Sequence, residues 1–442
     1  MKRILQITAG LLLSGSALAA HSVYPTGVTR YDPAKAWGHY TVFSGADENS
    51  YLIDMNGNVV QHWPYKGFPI EVINPAVNGG RKGHVFVQLE ERKDKNERSF
   101  GNGVNNHAVG ELDWDGKVVW RWAGEKAVGN AHQHHEITRL ANGNTLVLAN
   151  LLHKVPGFKL DELIDDALYE VDAKGNVVWR WLASEHLEEF GFTPEQLELV
   201  RNTGIADYLH FNNAVPLGEN KWHDAGDARF HPDNIIVDAR QANFIAIIDR
   251  QTGKVVWNLG PNYASAELAN PFAGKPKFPR LVDQLSGQHD AKLIPKGLPG
   301  EGNLLVFDNQ GGGGYPAVSF QVSTGSSRVL EIDPSTKQIV WEYRPGTAFF
   351  SAFTSLARRL PNGNTLITEG QTGRVFQITK EGEIVWEYVS PFFAKPKEGR
   401  TNTGNMLYRA TPVPYDWAPD GTPRSEQAVV PPALGSYRVS GP

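Results

Sequence analysis

The sequence predicts an all-β fold, a six-bladed β-propeller with four-stranded blades. Two observations carry this prediction: a turn-and-strand motif that recurs six times, and a strand-turn-strand motif that opens several of the repeats. The composition fits as well, because 45 Gly, 28 Pro and 12 Trp in 442 residues are typical of turn-rich β-proteins.

The first motif is a turn pair followed by β-branched residues and an aromatic side chain. Its Asn-Gly, Asp-Gly and Lys-Gly pairs accept the positive φ that tight hairpins require. A partner strand precedes most copies, so each copy completes an antiparallel pair. The six copies are NGNVVQHW (56–63), DGKVVWRW (115–122), KGNVVWRW (174–181), TGKVVWNL (252–259), TKQIVWEY (336–343) and EGEIVWEY (381–388).

The second motif is a strand, an Asn-Gly turn and another strand. It is clear in HHEITRLANGNTLVLAN (134–150) and TSLARRLPNGNTLITEG (354–370), and longer versions begin at LHFNNAVPLG (209–218) and QHDAKLIPKG (288–297). Each repeat then holds four strands, and this period favours a propeller over stacked sandwiches. The segment NMLYRATPVP (405–414) follows the last repeat, and we expect it to close the ring by pairing with the first blade.

The chain divides into a targeting segment, a propeller and two flanking segments. A basic start, a short apolar run and a small-residue cleavage pattern predict a signal peptide. Residues 184–202 have apolar residues at helical spacing and predict one short helical insertion. The predicted boundaries are 1–19 for the signal peptide, 20–39 for an N-terminal segment, 40–414 for the propeller and 415–442 for a C-terminal tail.

The predicted signal peptide and the composition exclude several classes of function. The signal peptide predicts a periplasmic or secreted protein, and no later segment is apolar for long enough to span a membrane. The chain has no Cys, which excludes disulfides, thiolate metal sites and cysteine nucleophiles. Its formal net charge is -5 without a long basic cluster, so we expect no nucleic-acid partner.

Three histidines occupy equivalent positions in their repeats. His135, His210 and His289 each stand five positions before an apolar residue and eight before a turn glycine, and Ser355 holds this position in the last repeat. Because the first strand of a blade lies nearest the propeller axis, we expect these imidazoles to converge at one mouth of the channel. The alternative is that each His only caps its strand by bonding a neighbouring blade.

Convergent imidazoles suit either a metal ion or an anion. Three His resemble a catalytic zinc site, but a cation would repel Arg240, which is expected at the end of a neighbouring strand. Arginine pairs well with oxyanions, so the residues favour a sulfate or phosphate group, and no metal is predicted. In a sulfuryl or phosphoryl ester, a neutral imidazole can attack the central atom. His289 is the preferred nucleophile because it has Asp290 beside it and a flexible Ser-Gly before it.

Residues 105–390 resemble the bacterial PAPS-independent arylsulfotransferases (aryl-sulfate sulfotransferases), as a divergent branch without their separate N-terminal β-domain. The resemblance implies a periplasmic six-bladed propeller that moves a sulfuryl group from an aryl sulfate ester to a phenolic acceptor. It further implies a ping-pong mechanism through a sulfohistidine and no cofactor. The segments that carry it are HHEITRLANGNTLVL (134–148), DYLHFNN (207–213), IIVDARQANFIAIIDRQTGKVVWNLG (235–260), LSGQHDAKLIP (285–295) and NLLVFDNQ (303–310).

The resemblance also implies residue roles and partners. His289 would be the nucleophile, with His210, His135 and Arg240 on the sulfuryl group and the leaving oxygen. The expected partners are a small phenolic donor and acceptor, and a homodimer is left open. From their positions in the sequence, three further residues are predicted to bind substrate: Asn212 in the D-x-x-H-x-N motif, Ser355 at the fourth equivalent position, and Tyr208. Tyr208 would belong to an aromatic clamp for a phenol, and the alternative is that it is a core residue.

Two other functions stay open at this point. A non-catalytic propeller would use the same His/Arg mouth to bind a sulfated or carboxylated ligand, or a protein partner. A quinoprotein dehydrogenase is suggested by the Trp-rich repeats, but the sequence lacks the calcium-binding acidic cluster of that class.

Overall fold

The structure, a computed structural model, describes residues 25–91, 106–124, 128, 131–261, 285–315, 326–396 and 404–431. The predicted signal peptide, residues 1–19, lies outside the described residues, as do parts of the predicted N-terminal segment and of the C-terminal tail.

Almost all regular structure in the described residues is β-strand, as the repeats predict. The strands of the first half are β1 (Gly27–Tyr31), β2 (Tyr40–Ser44), β3 (Ser50–Ile53), β4 (Val59–Trp63), β5 (Glu71–Val72), β6 (Val85–Glu91), β7 (Asn106–Leu112), β8 (Val118–Trp122), β9 (Ala131–Arg139), β10 (Thr145–His153), β11 (Leu163–Val171) and β12 (Val177–Leu182). Those of the second half are β13 (Phe211–Pro216), β14 (Ile235–Ala239), β15 (Phe244–Ile248), β16 (Val255–Leu259), β17 (His289–Leu293), β18 (Leu304–Asp308), β19 (Arg328–Asp333), β20 (Gln338–Tyr343), β21 (Ser355–Arg359), β22 (Thr365–Glu369), β23 (Arg374–Ile378), β24 (Ile384–Val389) and β25 (Ala410–Val413).

These strands pair antiparallel into five sheets, in which most neighbours are consecutive in sequence. Three sheets have four strands each, in the orders β25-β2-β3-β4, β13-β14-β15-β16 and β17-β18-β19-β20. One sheet has five strands, β1-β24-β23-β22-β21. The last has eight strands, β5 to β12.

The all-β propeller arrangement is confirmed, but the prediction of six separate four-stranded blades is wrong: four sheets are single blades, and the fifth has eight strands. The eight strands join because Asn106 of β7 pairs with Gln133 of β9, and the Asn106 Nδ2 donates to the Gln133 Oε1 at 2.8 Å. The fifth strand of the other sheet is β1, which lies inside the predicted N-terminal segment and pairs with β24.

The C-terminal strand closes the ring. As predicted, β25 pairs with β2, with Val413 opposite Tyr40 and Ala410 opposite Phe43. The strands β5, β9, β13, β17, β21 and β25 come next to one another around one axis. These strands carry the residues of the candidate site, so closure of the ring also completes the site.

Four tryptophans each tie one sheet to the next. The indole N–H of a Trp on a fourth strand donates to a backbone carbonyl in the last hairpin turn of the following sheet while the ring packs. The four pairs are Trp181 with Gly253 (2.8 Å), Trp257 with Pro334 (2.8 Å), Trp341 with Lys380 (2.9 Å) and Trp386 with Met55 (2.8 Å). The Trp-rich repeat is therefore a packing device between sheets.

The predicted helical insertion is two helices. A 3-10 helix over Ala183–Phe190 ends at Gly191, which adopts a left-handed φ of 86°, and α1 follows over Pro194–Arg201. Thr193 and Gln196 form a capping box at the start of α1. The other helical turns are α2 (Lys221–Asp224) and 3-10 helices at Pro75–Val77, Ala228–Phe230, Gly346–Ala348, Gly370–Thr372 and Tyr415–Trp417. No helix within the described ranges has the length and apolar character needed to cross a membrane.

Candidate active site at one mouth of the channel

Left-handed residues lie within or next to four first strands. His135 (φ 52°), His210 (φ 56°), Asp290 (φ 62°) and Thr354 (φ 56°) all have positive φ, which is costly for a residue with a Cβ. The pairing register shifts beside the first three of them, as in a β-bulge. Bulges redirect side chains. His135 and His210 are themselves predicted site positions, whereas Asp290 and Thr354 are the neighbours of His289 and Ser355.

The three predicted histidines lie around Tyr408, a residue just before β25. The rings of His135 and His210 are 4.9 Å apart and nearly perpendicular. The Tyr408 ring is 5.3 Å from His135 and 6.2 Å from His289. Phe68 stacks on Tyr408 at 4.7 Å and lies 5.3 Å from His135. The imidazoles thus converge at one end of the channel beside an aromatic wall.

His289 is held as a neutral imidazole with a defined tautomer. Its Nδ1 lies 2.8 Å from Asn309 Oδ1 and 3.0 Å from the Gly287 carbonyl, both of which can only accept, so Nδ1 carries the proton. The Thr354 amide lies 3.2 Å from Nε2 and donates to it. Burial, and then the charge of Arg240, hold the pKa of His289 well below its usual value. Nε2 therefore has a lone pair near neutral pH.

Asn309, not Asp290, orients His289. The Asn309 Nδ2 donates to the Ser351 carbonyl at 2.7 Å and to the Ser355 hydroxyl at 2.9 Å, which turns its Oδ1 toward His289. Asp290 turns away and accepts from Arg358, as expected for neighbours on a strand, which face opposite sides. The adjacency of Asp290 in sequence was thus a misleading signal.

His210 has a carboxylate partner. Its Nδ1 lies 2.5 Å from Oδ2 of Asp207, which stands three positions earlier in the D-x-x-H segment. Burial would raise the pKa of Asp207, but His210, His134 and Arg240 outweigh it and lower that pKa below its usual value. An ionised Asp207 fixes the proton on Nδ1 and leaves Nε2 to exchange protons with a ligand.

His135 has a second histidine behind it. Its Nδ1 lies 2.6 Å from His134 Nδ1, and the two rings are perpendicular. Burial, followed by the nearby His210, lowers the pKa of His134 to about 3 and that of His135 well below its usual value. Both imidazoles are therefore neutral, so one Nδ1 donates to the other and the pair can stabilise negative charge only through hydrogen bonds.

Arg240 is the permanent cation of the site. It follows β14, its backbone N–H donates to the His210 carbonyl at 3.1 Å, and its guanidinium donates to Gln241 Oε1 at 3.4 Å. Burial lowers its pKa, while Asp207 and Tyr408 raise it, and the ordinary value is high enough for the group to stay charged. It acts electrostatically on both His289 and Asp207.

The three predicted substrate-binding residues make bonds within the fold. Asn212 Nδ2 donates to the Gln288 carbonyl at 2.9 Å, which ties β13 to the strand of His289. Ser355 accepts from Asn309 and so supports the nucleophile position. Tyr208 is fully buried in the core, and its hydroxyl donates to Asp165 at 2.9 Å. A substrate contact for these three residues stays a prediction.

An ion network lies in the channel directly behind the histidines. Arg409, only 1 % exposed, bonds Glu136 Oε2 at 2.6 Å and Glu71 Oε1 at 3.0 Å, and its Nε lies 3.4 Å from Asp290 Oδ1. Its Nη2 also donates to the Asn212 carbonyl at 2.6 Å. These contacts connect strands from the two ends of the chain and form the floor of the candidate site.

The histidines are not accompanied by a metal-binding set. Over the described ranges, His, Asp and Glu side chains nowhere form a group of three or more that could hold a metal ion. The acids near the site already bond His210 or the arginines, and Arg240 adds positive charge. The donor set thus suits an anion better than a cation.

The family model for arylsulfotransferases (ASST) matches residues 42–390. The chain belongs to the arylsulfotransferase family. Membership in this family supports the conclusion that the protein is an enzyme with a sulfotransferase activity in general terms. The match contains His135, His210, Arg240 and His289, whereas Tyr408 and the ion-network residue Arg409 lie beyond its end.

No curated protein matches the sequence of this arylsulfotransferase-family chain. Solved structures with a similar arrangement of the chain were found at low sequence identity. A protein of unknown function from Bacteroides caccae is 14% identical with a TM-score of 0.46, covering 85% of this chain and 99% of that one. The β-propeller domain of Myceliophteria thermophila Cps50 (Swd1) is 10% identical, with a TM-score of 0.39 and coverage of 84% and 88%. Virginiamycin B lyase from Staphylococcus aureus is 11% identical, with a TM-score of 0.37 and coverage of 83% and 84%.

Proposed function

We propose that this protein transfers a sulfuryl group from an aryl sulfate to a phenolic acceptor by a ping-pong mechanism through His289. The observation that carries the proposal is the state of His289: a buried, neutral imidazole whose proton is held on Nδ1 and whose Nε2 keeps a lone pair that accepts from the Thr354 amide. A neutral nitrogen nucleophile next to a fixed cation suits attack on an anionic ester.

In the first half-reaction, the lone pair of His289 Nε2 attacks sulfur, and an N–S bond forms as the S–O bond to the aryl group breaks. The electron pair of the broken bond leaves on the phenolate oxygen, which takes a proton from Nε2 of protonated His210. Arg240 and the His135 imidazole stabilise the negative charge on the sulfuryl and leaving oxygens. The Thr354 amide, now 3.2 Å from Nε2, would shift to a sulfuryl oxygen.

In the second half-reaction, a new phenol enters and His210, now neutral, accepts its proton. The phenol oxygen attacks sulfur, the O–S bond forms, and the N–S bond breaks to return its electron pair to His289 Nε2. The aromatic rings of Phe68 and Tyr408 lie next to His135 and support binding of donor and acceptor phenols at the same place.

Several finer properties belong to the same proposal. All the chemistry uses side chains of the chain, so we propose that no nucleotide sulfate donor or other cofactor takes part. The sulfur chemistry and the predicted signal peptide together support a periplasmic or secreted enzyme.

The experiment is a transfer assay with purified protein, para-nitrophenyl sulfate and phenol, without any nucleotide. We expect release of para-nitrophenol and formation of phenyl sulfate in equal amounts. If the protein binds the aryl sulfate but releases no nitrophenol with any phenol tested, it is a non-catalytic anion-binding propeller, the alternative that the same His/Arg mouth would support.

Asp207→Asn tests the role of His210 as the proton donor. Loss of the carboxylate leaves the His210 proton without its 2.5 Å partner, so protonation of the leaving oxygen becomes slower. We expect kcat to fall about tenfold with para-nitrophenyl sulfate and about a hundredfold with phenyl sulfate, whose more basic leaving group needs the proton more.

The control is Asp233→Asn, because Asp233 is an exposed acid that lies near the surface residue His231. This variant should match the wild type with both donors. Equal losses with both donors in Asp207→Asn would mean that Asp207 only supports the fold and that His210 does not protonate the leaving group.

A further inference from the structure

A cavity opens at the end of the channel opposite the histidines. It has a volume of about 970 Å³ and is lined by the turn ends of the first strands, among them Leu140, Val215 and Leu293. His135, His210, His289 and Arg240 do not line it. Lys292 lies three residues after His289, which in a strand corresponds to about 10 Å along the channel axis. The cavity is thus distinct from the histidine mouth.

Two cations face this cavity from its base. The side chains of Lys292 and Arg358 line the cavity and are 21% and 22% exposed, whereas the carboxylates they contact, Asp290 and Glu136, are 0% and 2% exposed. Lys292 Nζ is 3.4 Å from Glu136 and 3.7 Å from Asp290, which leaves donor capacity for a ligand. The accessible charge at the base is therefore positive.

The third acid at the base does not cancel this charge near neutral pH. Glu71 lines the cavity, and burial together with the neighbouring Glu136 raises its pKa to about 7. This shift reduces the negative charge that Glu71 contributes to the base near neutral pH.

Part of the cavity wall is apolar, where Ile73, Val77, Ile137, Leu140, Val215 and Leu293 line it above the charged base. Another part of the wall is polar and includes the charged residues Arg139, Glu170, Glu219, Asp233 and Arg250. A volume of this size accommodates a small organic molecule, and an apolar wall with a few convergent polar groups is the usual composition of a ligand pocket. A ligand that matches both parts has an apolar body and one anionic group.

We propose that this cavity is a second ligand site, which binds a small organic anion with its carboxylate or sulfonate on Lys292 and Arg358 and its apolar body against the walls. The site is separated from the histidine mouth by the buried Arg409, so its ligand does not enter the transfer reaction. The proposal does not depend on the catalytic role of His289.

Isothermal titration of the purified protein with 2-naphthoate tests this site. We expect saturable binding, about tenfold weaker binding of the neutral analogue naphthalene-2-methanol, and about tenfold weaker 2-naphthoate binding in Lys292→Met, because a charge-assisted hydrogen bond is lost. The matched control is Lys296→Met, since Lys296 is exposed and bonds Asp224 at the surface. The Lys296→Met variant should bind 2-naphthoate with the affinity of the wild type.

Two further variants keep the result decisive. Ala141→Trp fills the cavity from an exposed turn without changing the ion network, so it should weaken binding even if Lys292→Met folds poorly. Arg240→Met changes only the histidine mouth and should leave binding unchanged. The absence of saturable binding, or binding that Arg240→Met weakens and Ala141→Trp does not, would overturn the proposal.

Discussion

Replacement of His289 by Asn is expected to lower the rate of sulfuryl transfer from para-nitrophenyl sulfate by about 10⁴-fold or more, because the nucleophile itself is lost. Asn keeps a side-chain amide that can bond Asn309, so the local packing should survive. The measurement is the initial rate of nitrophenol release, alongside the thermal unfolding midpoint, which we expect to change by a few degrees at most.

His231→Asn is the matched control for this variant. His231 is a surface residue whose side chain is 42% exposed and lies 3.9 Å from Asp233, outside the channel. It should keep the wild-type rate. A His289→Asn protein that folds normally and retains a tenth or more of the wild-type rate would show that another group attacks sulfur.

Arg409→Met is expected to destabilise the fold by about 3 to 5 kcal/mol, since removing one partner of a buried ion network leaves uncompensated charges. Arg409 contacts Glu71, Glu136 and Asp290 in the channel and is only 1% exposed. Burial lowers its pKa, but these carboxylates and Tyr408 outweigh burial and raise it well above its usual value, so the group is charged in the folded state. Urea unfolding at neutral pH measures the effect.

The comparison variant is Arg180→Met, which removes an exposed ion pair. Arg180 is 60% exposed and lies 3.4 Å from Glu185, so its loss should cost less than about 1 kcal/mol. If Arg409→Met costs no more than Arg180→Met, the network is not a structural centre of the channel, and the floor of the candidate site needs another explanation.

The strands were predictable because each repeat carries its own turn pair and aromatic residue. The borders between sheets could not be predicted, because they depend on contacts between edge strands that leave no periodic pattern in the sequence. The pairing of Asn106 with Gln133 joins two repeats into one sheet, and β1 adds to another sheet from a segment with no repeat copy.

The candidate site was predictable where the repeats place equivalent residues. His135, His210 and His289 share one position in the pattern, and the structure brings them together. Asp207 and Asn309 lie within the segments that carry the family resemblance, so a closer reading of D-x-x-H and of the F-D-N run could have found them.

Other residues of the site could not be predicted from the sequence around them. Tyr408 and Arg409 reach the channel only because β25 closes the ring, and they bond residues more than 190 positions earlier in the chain. The left-handed turn at His135, which brings His134 against it, is also set by tertiary contacts rather than by residue type.

Intact-mass spectrometry after brief incubation with para-nitrophenyl sulfate, without an acceptor, is the most direct test of the sulfohistidine. We expect the wild-type protein to gain the mass of one SO₃ group and to lose it in acid or on addition of phenol. His289→Asn should gain nothing. Wild-type protein that releases nitrophenol without ever carrying the adduct, or an adduct that persists in His289→Asn, would contradict the mechanism.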